Sequence, residues 1–393
     1  MSTLKKSATV VIIGGGVIGM AVARALALRG LRDVLLIERT SLGAEASSAA
    51  AGMLAPQAEA DRADDFFWFT CQSRDMYSEF ANSLRAETGI DIELDTTGTL
   101  YLAFTEDDVR ELEHRYEWQT EAGLPVEQLD VATARAFEPC ISPELRAALR
   151  FPRDMQVENR RLISALAVSN EQFGVQLETG TLVNSLRLDR GKLVGLETSR
   201  GFVATENVIL AGGAWTSQLA VTDPNGAKIS DKAMPTVRIE PVRGQMICFE
   251  SNPRICSHVI YSPRGYLVPR RDGRLLAGST TEHVGFDKRI TADGVHSIMS
   301  AAREISPLVG PLPMTESWAG LRPRAADGLP VLGPCAEIEG LFYASGHYRN
   351  GILLAPITGE LIAEALINKT ISSTLKVFSP DRFNPVAASL ISA

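Results

Sequence analysis

Three glycines near the N-terminus have the spacing of a dinucleotide-binding turn. Gly14-x-Gly16-x-x-Gly19 follows an apolar run and precedes a stretch with helical periodicity. The first glycine allows the tight turn, the second lets the backbone approach a pyrophosphate, and the third lets the helix pack closely on the strand. The N-terminus of that helix then faces the phosphates with its partial positive charge. The pattern predicts that these glycines bind a dinucleotide; a glycine-rich turn without a ligand is the alternative.

Two further features extend this predicted cofactor site. Glu38 follows Gly19 by about 20 residues, where an acidic side chain accepts hydrogen bonds from a ribose, although it is also typical of a solvated strand end. Residues 47–53 are a run of small side chains with two serines, Ser47 and Ser48. Such a run permits close approach to a broad planar ring, and its hydroxyls can meet phosphate; the start of a small-residue helix is the alternative. The glycine pattern itself does not separate FAD from NAD.

The elements around the glycines predict an α/β domain. The β-branched run from Thr9 to Ile13 is typical of a buried strand, helical periodicity follows, and Gly30 is well placed to end that helix. Residues 33–37 form a second buried strand. This strand–turn–helix–strand unit is the start of a doubly wound fold. A secretory signal is the alternative for residues 10–23, but the glycines and arginines within and after them argue against it.

Further along the chain, two compositions alternate. Short alternating strands and charged helices occur between residues 91 and 151, and alternating strands recur between 237 and 281. Buried-strand character returns at 207–210, and residues 341–367 show a strand, a glycine-rich turn and a helix. We therefore predict a cofactor domain in three pieces (1–86, 152–225 and 318–393) and a β-rich substrate-binding domain in two (87–151 and 226–317).

Composition excludes several functional classes. The formal net charge is −8, so no general positive field attracts nucleic acid or anionic membranes. The five cysteines are scattered without a CxxC pair, and the five histidines show no metal-ligand spacing. We expect no metal, no disulfide framework and a reducing, cytoplasmic location. No apolar stretch is long enough to predict a transmembrane helix.

Several motifs together resemble the D-amino-acid oxidase family of flavoproteins, and within it the glycine oxidase branch. The N-terminal motifs are Gly14-Gly-Gly-Val-Ile-Gly19 and Ser48-Ala-Ala-Ala-Gly-Met-Leu-Ala-Pro56. The C-terminal motifs are Trp318-Ala-Gly-Leu-Arg-Pro323, Asp327-Gly-Leu-Pro330 and Gly346-His-Tyr-Arg-Asn-Gly-Ile-Leu-Leu-Ala-Pro356. The resemblance covers nearly the whole chain.

The resemblance implies an α/β fold in which a discontinuous, Rossmann-like FAD-binding domain is interleaved with an α+β substrate domain containing a large antiparallel sheet. It also implies FAD contacts for a set of residues across the chain. Besides Gly14, Gly16, Gly19 and Glu38, these are Val17, Ile18, Arg39, Ala46, Ser47, Ala51, Gly52, Met53 and Val183, together with His347, Tyr348, Arg349, Asn350, Gly351, Ile352 and Leu353. The last segment is expected to close over the flavin. Gly351 is expected to open a helix from Ile352 to Leu366, whose N-terminal amides would stabilise negative charge on the flavin.

Three residues match positions that bind the substrate in the family. Arg322 matches the arginine that binds the substrate carboxylate, Arg349 a second arginine near substrate and flavin, and Tyr266 a tyrosine that supports the carboxylate. A planar guanidinium suits a carboxylate because two parallel hydrogen bonds fix position and rotation together. The alternatives are a structural salt bridge for either arginine and an ordinary core position for Tyr266. No general acid or base is nominated.

Three departures from the family pattern leave the substrate open. Arg264 stands where relatives carry a neutral or histidine side chain, Thr281 where a methionine can line the pocket, and Arg324 where glycine is common. An additional cation or a more polar wall would shift the preference among small amino acids.

The predicted activity is oxidation of glycine, and of sarcosine or small D-amino acids, with noncovalent FAD and oxygen. The resemblance further implies a link to thiamine thiazole synthesis and a homotetramer. A D-amino-acid dehydrogenase that passes electrons to a quinone or carrier is one alternative. A flavin-binding partner of a tRNA-modifying enzyme is another, which the acidic composition disfavours.

Overall fold

The structure, a computed structural model, describes residues 4–229 and 237–384. Its strands are β1 (Val10–Ile13), β2 (Val34–Ile37), β3 (Met53–Leu54), β4 (Thr99–Ala103), β5 (Glu127–Leu129), β6 (Ala147–Phe151), β7 (Met155–Gln156), β8 (Gln176–Glu178), β9 (Val183–Asp189), β10 (Lys192–Thr198), β11 (Gly201–Ala204), β12 (Val208–Leu210), β13 (Ala220–Thr222), β14 (Ile239–Glu250), β15 (Val259–Ser262), β16 (Gly265–Pro269), β17 (Arg274–Gly278), β18 (Met314–Ala325), β19 (Val331–Pro334) and β20 (Leu341–Ser345). Its helices are α1 (Val17–Leu28), α2 (Ala46–Ala49), α3 (Pro56–Glu59), α4 (Asp65–Asp75), α5 (Tyr77–Thr88), α6 (Glu106–Glu121), α7 (Val131–Phe137), α8 (Asn159–Gln172), α9 (Ala292–Ile305), α10 (Ala355–Asn368) and α11 (Ser373–Val377). Short 3₁₀ helices lie at Gly213–Gln218, Pro307–Val309 and Pro380–Phe383.

A six-stranded sheet carries the glycine-rich turn. Its order is β19-β20-β12-β1-β2-β8, and every neighbouring pair is parallel except β19 with β20. The strand β1 lies between β2 and β12, so the strand order runs in opposite directions on its two sides. A crevice forms at this point. In open α/β sheets, ligands bind in such a crevice at the carboxyl ends of the strands. The predicted Rossmann-like fold is confirmed.

The two faces of this sheet are covered differently. Val10 and Ile12 pack with α1, α8 and α10 in one apolar cluster. Val11 packs on the opposite face, where leucines of β9 and β10 cover it. Those strands belong to a four-stranded sheet of order β11-β10-β9-β13. The second face is therefore covered by a small sheet rather than by the helices that a doubly wound fold implies.

The predicted end of the first helix is confirmed, and the start of the last long helix differs from the prediction. Gly30 has φ +88°, and its amide donates to Ala27 O as α1 ends. The helix predicted from Ile352 begins instead at Ala355, because residues 351–354 form a separate turn. Pro356 lies in the first turn of α10, a position that favours proline because its missing N–H costs no hydrogen bond there.

An eight-stranded sheet forms the second half of the molecule. Its order is β18-β14-β17-β16-β15-β4-β6-β5, and its pairs are antiparallel except for the parallel pair β15–β4. The long pair β14–β18 places Val242 opposite Arg322 and Gly244 opposite Gly320. The predicted large sheet is present, with one parallel pair in it.

Two of the predicted domain limits fall inside secondary structure. Residue 86 lies within α5, and residue 318 lies within β18, which is hydrogen-bonded along its length to β14 of the eight-stranded sheet. We propose the same interleaved division with the first limit after Thr88 and the last after Ala325. Within the described residues, no helix has both the length and the apolar composition needed to cross a bilayer.

Candidate active site

A cavity of about 580 Å³ lies between the carboxyl edge of the six-stranded sheet and strands β14, β16 and β18 of the eight-stranded sheet. Its volume is within the range of roughly 300–1,000 Å³ that is common for small-molecule and cofactor sites. The predicted site residues that line it are Gly14, Gly16, Val17, Ile18, Glu38, Arg39, Ala46, Ser47, Ala51, Gly52, Met53, Val183, Tyr266, Arg322, His347, Tyr348, Arg349, Asn350, Gly351 and Ile352.

Close backbone contacts explain why glycines are found in the turn between β1 and α1 and at the start of α1. Gly14 has φ +110°, and a Cβ there would lie 2.4 Å from Ala211 O. A Cβ on Gly19 would lie 2.0 Å from Gly14 O, so this glycine lets α1 pack on the turn and does not line the cavity. The backbone amide of Val17, in the first turn of α1, donates to Ser47 Oγ at 3.0 Å. A serine hydroxyl and a helix N-terminus thus meet where phosphate is expected.

The predicted ribose acceptor is held in place by the backbone. Glu38 Oε2 accepts from the Gly15 amide at 2.8 Å, and Oε1 accepts from the Thr40 amide at 2.9 Å. These bonds fix the carboxylate at the cavity wall. Charge-assisted bonds of this kind are stronger than bonds between neutral groups.

A cation–aromatic cluster borders the same end of the cavity. The Arg39 guanidinium carbon lies 3.6 Å from the centre of the Trp215 ring, and its Nη2 donates to Glu45 Oε1 at 2.6 Å. Lys288 Nζ donates to the other Glu45 oxygen at 2.8 Å, and Phe286 packs on Trp215. The segment that follows β17 is therefore tied to the cofactor-side wall. Sequence reasoning found Arg39 but not Trp215 or Glu45.

A buried arginine, Arg270, donates hydrogen bonds to the small-residue segment (residues 47–53) and to the residues next to it. Arg270 is 3% exposed, and its guanidinium donates to Ala51 O at 2.7 Å and to Val157 O at 2.8 Å. Gly52 has φ +73°, and a Cβ there would lie 2.1 Å from Val157 O. The helix α2 packs on β18, where a Cβ on Gly320 would lie 2.6 Å from the Ala49 Cβ. Small residues are needed on both sides of this contact.

The segment expected to close over the flavin mostly lines the cavity. Its exception is Leu353, which is 2% exposed and packs in the helix-side apolar cluster. His347 Nε2 lies 3.1 Å from Thr358 Oγ1, and burial lowers the pKa of this imidazole to about 3. His347 is therefore neutral at physiological pH. Tyr348 has φ +48°, and its amide donates to Pro323 O at 2.8 Å, next to the predicted carboxylate-binding arginine.

Arg322 is held in the wall of the cavity without a carboxylate partner among the described residues. Its Nη2 donates to Ser279 Oγ at 2.7 Å, and its Nη1 donates to Thr280 O at 3.0 Å. Both acceptors are uncharged, so no carboxylate among residues 4–229 and 237–384 pairs with this half-buried guanidinium. An anionic group in the cavity would supply the missing charge.

Tyr266 lies on strand β16 of the eight-stranded sheet, which is separated from β18 by β14 and β17, and it is 6% exposed. Its hydroxyl contacts Met246 Sδ at 3.3 Å, and both side chains line the cavity. A methionine therefore does line this region, but it comes from β14 and not from the position of Thr281. Tyr266 and Arg322 both line the cavity.

Arg349 has partners of its own. Its Nη2 donates to Tyr261 OH at 2.8 Å, and its Nε lies 3.5 Å from Glu59 Oε2. Glu59, at the end of α3, also lines the cavity. Both the predicted role in substrate contact and the alternative of a structural ion pair are consistent with this position. No sequence signal pointed to Glu59.

The three departures from the family pattern lie outside the cavity lining. Arg264 donates to both carboxylate oxygens of Asp108 and to Glu304, so its charge is neutralised. Arg324 bridges to His347 through the backbone. Neither Arg264 nor Arg324 adds a cation to the cavity wall, and Thr281 adds no polar group there.

Other lining residues were missed by sequence reasoning. They are contributed mainly by the turn after β12, by β14 and by β18, and include Ala211, Gly212, Gly213, Trp215, Gly244, Met246 and Gly320. The pair Gly212-Gly213 follows a buried strand much as Gly14 follows β1, so a signal for this turn was present in the sequence. The lining by β14 depends on strand pairing, and no local pattern marks it.

Comparison with known proteins agrees with this architecture. Residues 9–365 match the family described as DAO, FAD dependent oxidoreductase. A glycine oxidase of Geobacillus kaustophilus (strain HTA426) is 37% identical over 375 residues, which cover 95% of this chain and 96% of the relative. The bifunctional protein ThiO/ThiG of Synechocystis sp. is 33% identical over 387 residues, covering 97% of this chain and 55% of that protein.

The fold agrees as closely. The crystal structure of glycine oxidase from Geobacillus kaustophilus matches with a TM-score of 0.89 at 35% identity, over 96% of this chain and 99% of that one. The sequence and structure matches extend over both sheets and over the cavity between them. The resemblance read from the motifs is thus confirmed, and the chain belongs to the DAO family of FAD-dependent oxidoreductases.

Proposed function

We propose that this protein is an FAD-dependent oxidase that deaminates glycine. Glycine, oxygen and water are converted to glyoxylate, ammonia and hydrogen peroxide, so the α-carbon loses two electrons and oxygen gains them. Sarcosine and small D-amino acids are proposed as further substrates, which yield the 2-oxo acid and ammonia or the corresponding amine. The observation that carries the proposal is Arg322, whose guanidinium bonds only uncharged groups among the described residues and lies in the wall of a cavity that also contains the dinucleotide turn.

The residues of the cavity fit FAD. Substituting Gly14 would block the turn, the Glu38 carboxylate is fixed at the wall, and the Ser47 hydroxyl lies at the N-terminus of α1. None of the five cysteines lines the cavity, which supports noncovalent binding. When bound, FAD supplies the acceptor for the hydride that leaves the substrate α-carbon.

The protein itself positions the substrate. The guanidinium of Arg322 carries five N–H donors, and its bonds to Ser279 and Thr280 leave others for a substrate carboxylate. Two parallel bonds would fix the rotation of the carboxylate and so decide which Cα–H bond faces the acceptor. Because burial lowers the pKa of His347 to about 3 and so makes it a weak base, and because Glu59 is paired with Arg349, we propose that the substrate reacts as the neutral amine without a protein base.

The wider setting is part of the proposal. The similarity to glycine oxidases and to the bifunctional ThiO/ThiG supports a link to thiamine thiazole synthesis. A strain without the gene should then require added thiazole, and normal growth without it would count against this link. The cytoplasmic location and the homotetramer remain predictions; the first is supported by five free cysteines, all buried.

One experiment tests the activity and its electron acceptor together. Under anaerobic conditions, glycine, sarcosine, D-alanine and D-proline are each added to the purified yellow protein, and the flavin absorbance is followed before and after air is admitted. We expect glycine to bleach the flavin and air to restore it with formation of hydrogen peroxide. Bleaching without recovery in air would indicate a dehydrogenase with another acceptor. A protein that is colourless after incubation with FAD and removal of the unbound flavin would refute the proposal.

A further inference from the structure

Strand β14 contacts the side chain of Arg322 at Gly244, a residue without a side chain of its own. Gly244 lies opposite Gly320 in the β14–β18 pair, one position diagonal to Arg322, which lies opposite Val242. Residues in this diagonal relation share one face of a sheet, and long side chains span the gap between them. Gly244, Gly320 and Arg322 all line the cavity.

The guanidinium of Arg322 occupies the space where a side chain at position 244 would stand. A Cβ on Gly244 would lie 2.2 Å from Nη2, 2.3 Å from Cζ and 2.3 Å from Nη1 of Arg322. The three distances are nearly equal, so the plane of the guanidinium lies broadside over the Gly244 backbone. Ordinary contacts of a Cβ begin at about 3.4 Å, which means that any side chain at 244 displaces the guanidinium by roughly an ångström.

The remaining contacts fix the guanidinium from its edges. Ser279 Oγ and Thr280 O accept from its two terminal nitrogens, and Arg243 O lies 3.5 Å from Nη1. These acceptors fix the direction in which the guanidinium points. The contact with the Gly244 backbone fixes how close the guanidinium lies to strand β14. No other described contact supports the face of the guanidinium that Gly244 touches.

We propose that Gly244 is a positioning residue that sets the orientation of Arg322 and, through it, the selectivity for substrates with a carboxylate. This inference rests on the proposed function of Arg322. The glycine touches neither substrate nor cofactor in the proposal; it acts through the arginine. Because a displacement of about 1 Å in a binding group can reduce the rate about 100-fold, G244A should lower kcat/KM for glycine by that order.

The first test compares two substrates of which only one has a carboxylate. Glycine and its ethyl ester are both primary amines, but the ester has no carboxylate for Arg322 to bind. In G244A, kcat/KM for glycine should fall about 100-fold, while that for the ester changes by less than about threefold. Equal losses with both substrates would overturn the inference, since they would indicate general damage to the site. Flavin content, measured by absorbance, should equal that of the unchanged protein.

The second test separates a contact with Arg322 from a requirement of the strand itself. Truncation in R322A removes the group that a Cβ at 244 would contact, so G244A should lower the melting temperature of the unchanged protein but not that of R322A. Likewise, kcat/KM for glycine should be no lower in the double variant G244A/R322A than in R322A alone. An equal loss of thermal stability in both backgrounds would show that the strand requires glycine for another reason, and it would refute the proposal.

These results are distinguishable from failure of the proposed function. The thermal comparison requires no turnover and is made on the FAD-bound proteins, so it tests the Gly244–Arg322 contact even if glycine is not the substrate. If the unchanged protein does not oxidise glycine but the thermal coupling is present, the proposed function fails and the contact stands. If glycine is oxidised and the coupling is absent, the inference about Gly244 fails alone.

Discussion

Substitution of Arg322 tests the central feature of the site. In R322A the cavity loses a half-buried guanidinium whose hydrogen bonds, in the part of the chain that the structure describes, go to uncharged oxygens of Ser279, Thr280 and Arg243. Truncating one partner of a buried charge pair costs about 2–5 kcal/mol. Because Arg322 is partly exposed, we expect the lower part of that range, about 2–3 kcal/mol, which corresponds to a roughly 30- to 160-fold loss in kcat/KM for glycine.

The lysine variant separates charge from geometry. R322K keeps the positive charge but replaces a two-point fork by one ammonium group, so we expect an intermediate loss. Initial rates of peroxide formation over a range of glycine concentrations give KM and kcat separately, and the flavin absorbance shows whether cofactor is retained. The loss should appear mainly in KM, since the carboxylate is bound before and during the reaction. An unchanged KM in R322A with full flavin content would remove this arginine from the substrate site.

Four further outcomes follow from other features of the structure. G14A should be purified with little flavin, because a Cβ there would lie 2.4 Å from Ala211 O at a φ of +110°; a normal ratio of flavin to protein absorbance would contradict the predicted turn. E59Q should remove the negative charge beside Arg349 and lower KM for a dicarboxylate such as iminodiacetate relative to glycine, whereas an unchanged ratio would place this arginine outside the substrate site. Acid precipitation should release the flavin into the supernatant, where its absorbance is measured, because no cysteine lines the cavity; yellow protein in the pellet would contradict noncovalent binding. Burial raises the pKa of Asp154 to about 7, so the folded state holds this proton more tightly than the unfolded state does. The free energy of unfolding should therefore decrease as pH rises from about 4 to 7, by at most ~1.4 kcal/mol per pH unit. Urea titrations across this pH range measure the slope, and D154N should lack it.

Local sequence was sufficient for the cofactor half of the site. The glycine turn, the buried strands β1 and β2 and the acidic residue Glu38 are close together in the chain, and their chemistry is set by backbone conformation. A positive φ at Gly14 and a close helix–strand contact at Gly19 can be met by glycine alone, so the spacing carries the prediction. The helix end at Gly30 was predictable for the same reason.

Local sequence was less informative about helix starts, domain boundaries and charge partners that depend on tertiary packing. The last long helix starts at Ala355 and not at Ile352, because residues 351–354 form a separate turn in which the Leu354 amide donates to Asn350 O. The boundary placed at 318 cuts β18, because only strand pairing shows that this strand belongs to the larger sheet. Arg264 was suspected of adding charge to the cavity, yet Asp108 neutralises it from a distant helix.

The sequence by itself determined the family, the α/β fold with its interleaved second domain and the dinucleotide turn, and it marked Arg322 as a candidate for binding the substrate. These depend on short motifs whose residues act within a few positions of each other. Only the tertiary structure decided that Arg322 has no carboxylate partner among the described residues, that Glu59 pairs with Arg349, and that Gly244 lies under the guanidinium. The physical reason is that charge neutralisation and close packing depend on distances between residues far apart in the chain, which sheet pairing fixes and local patterns do not contain.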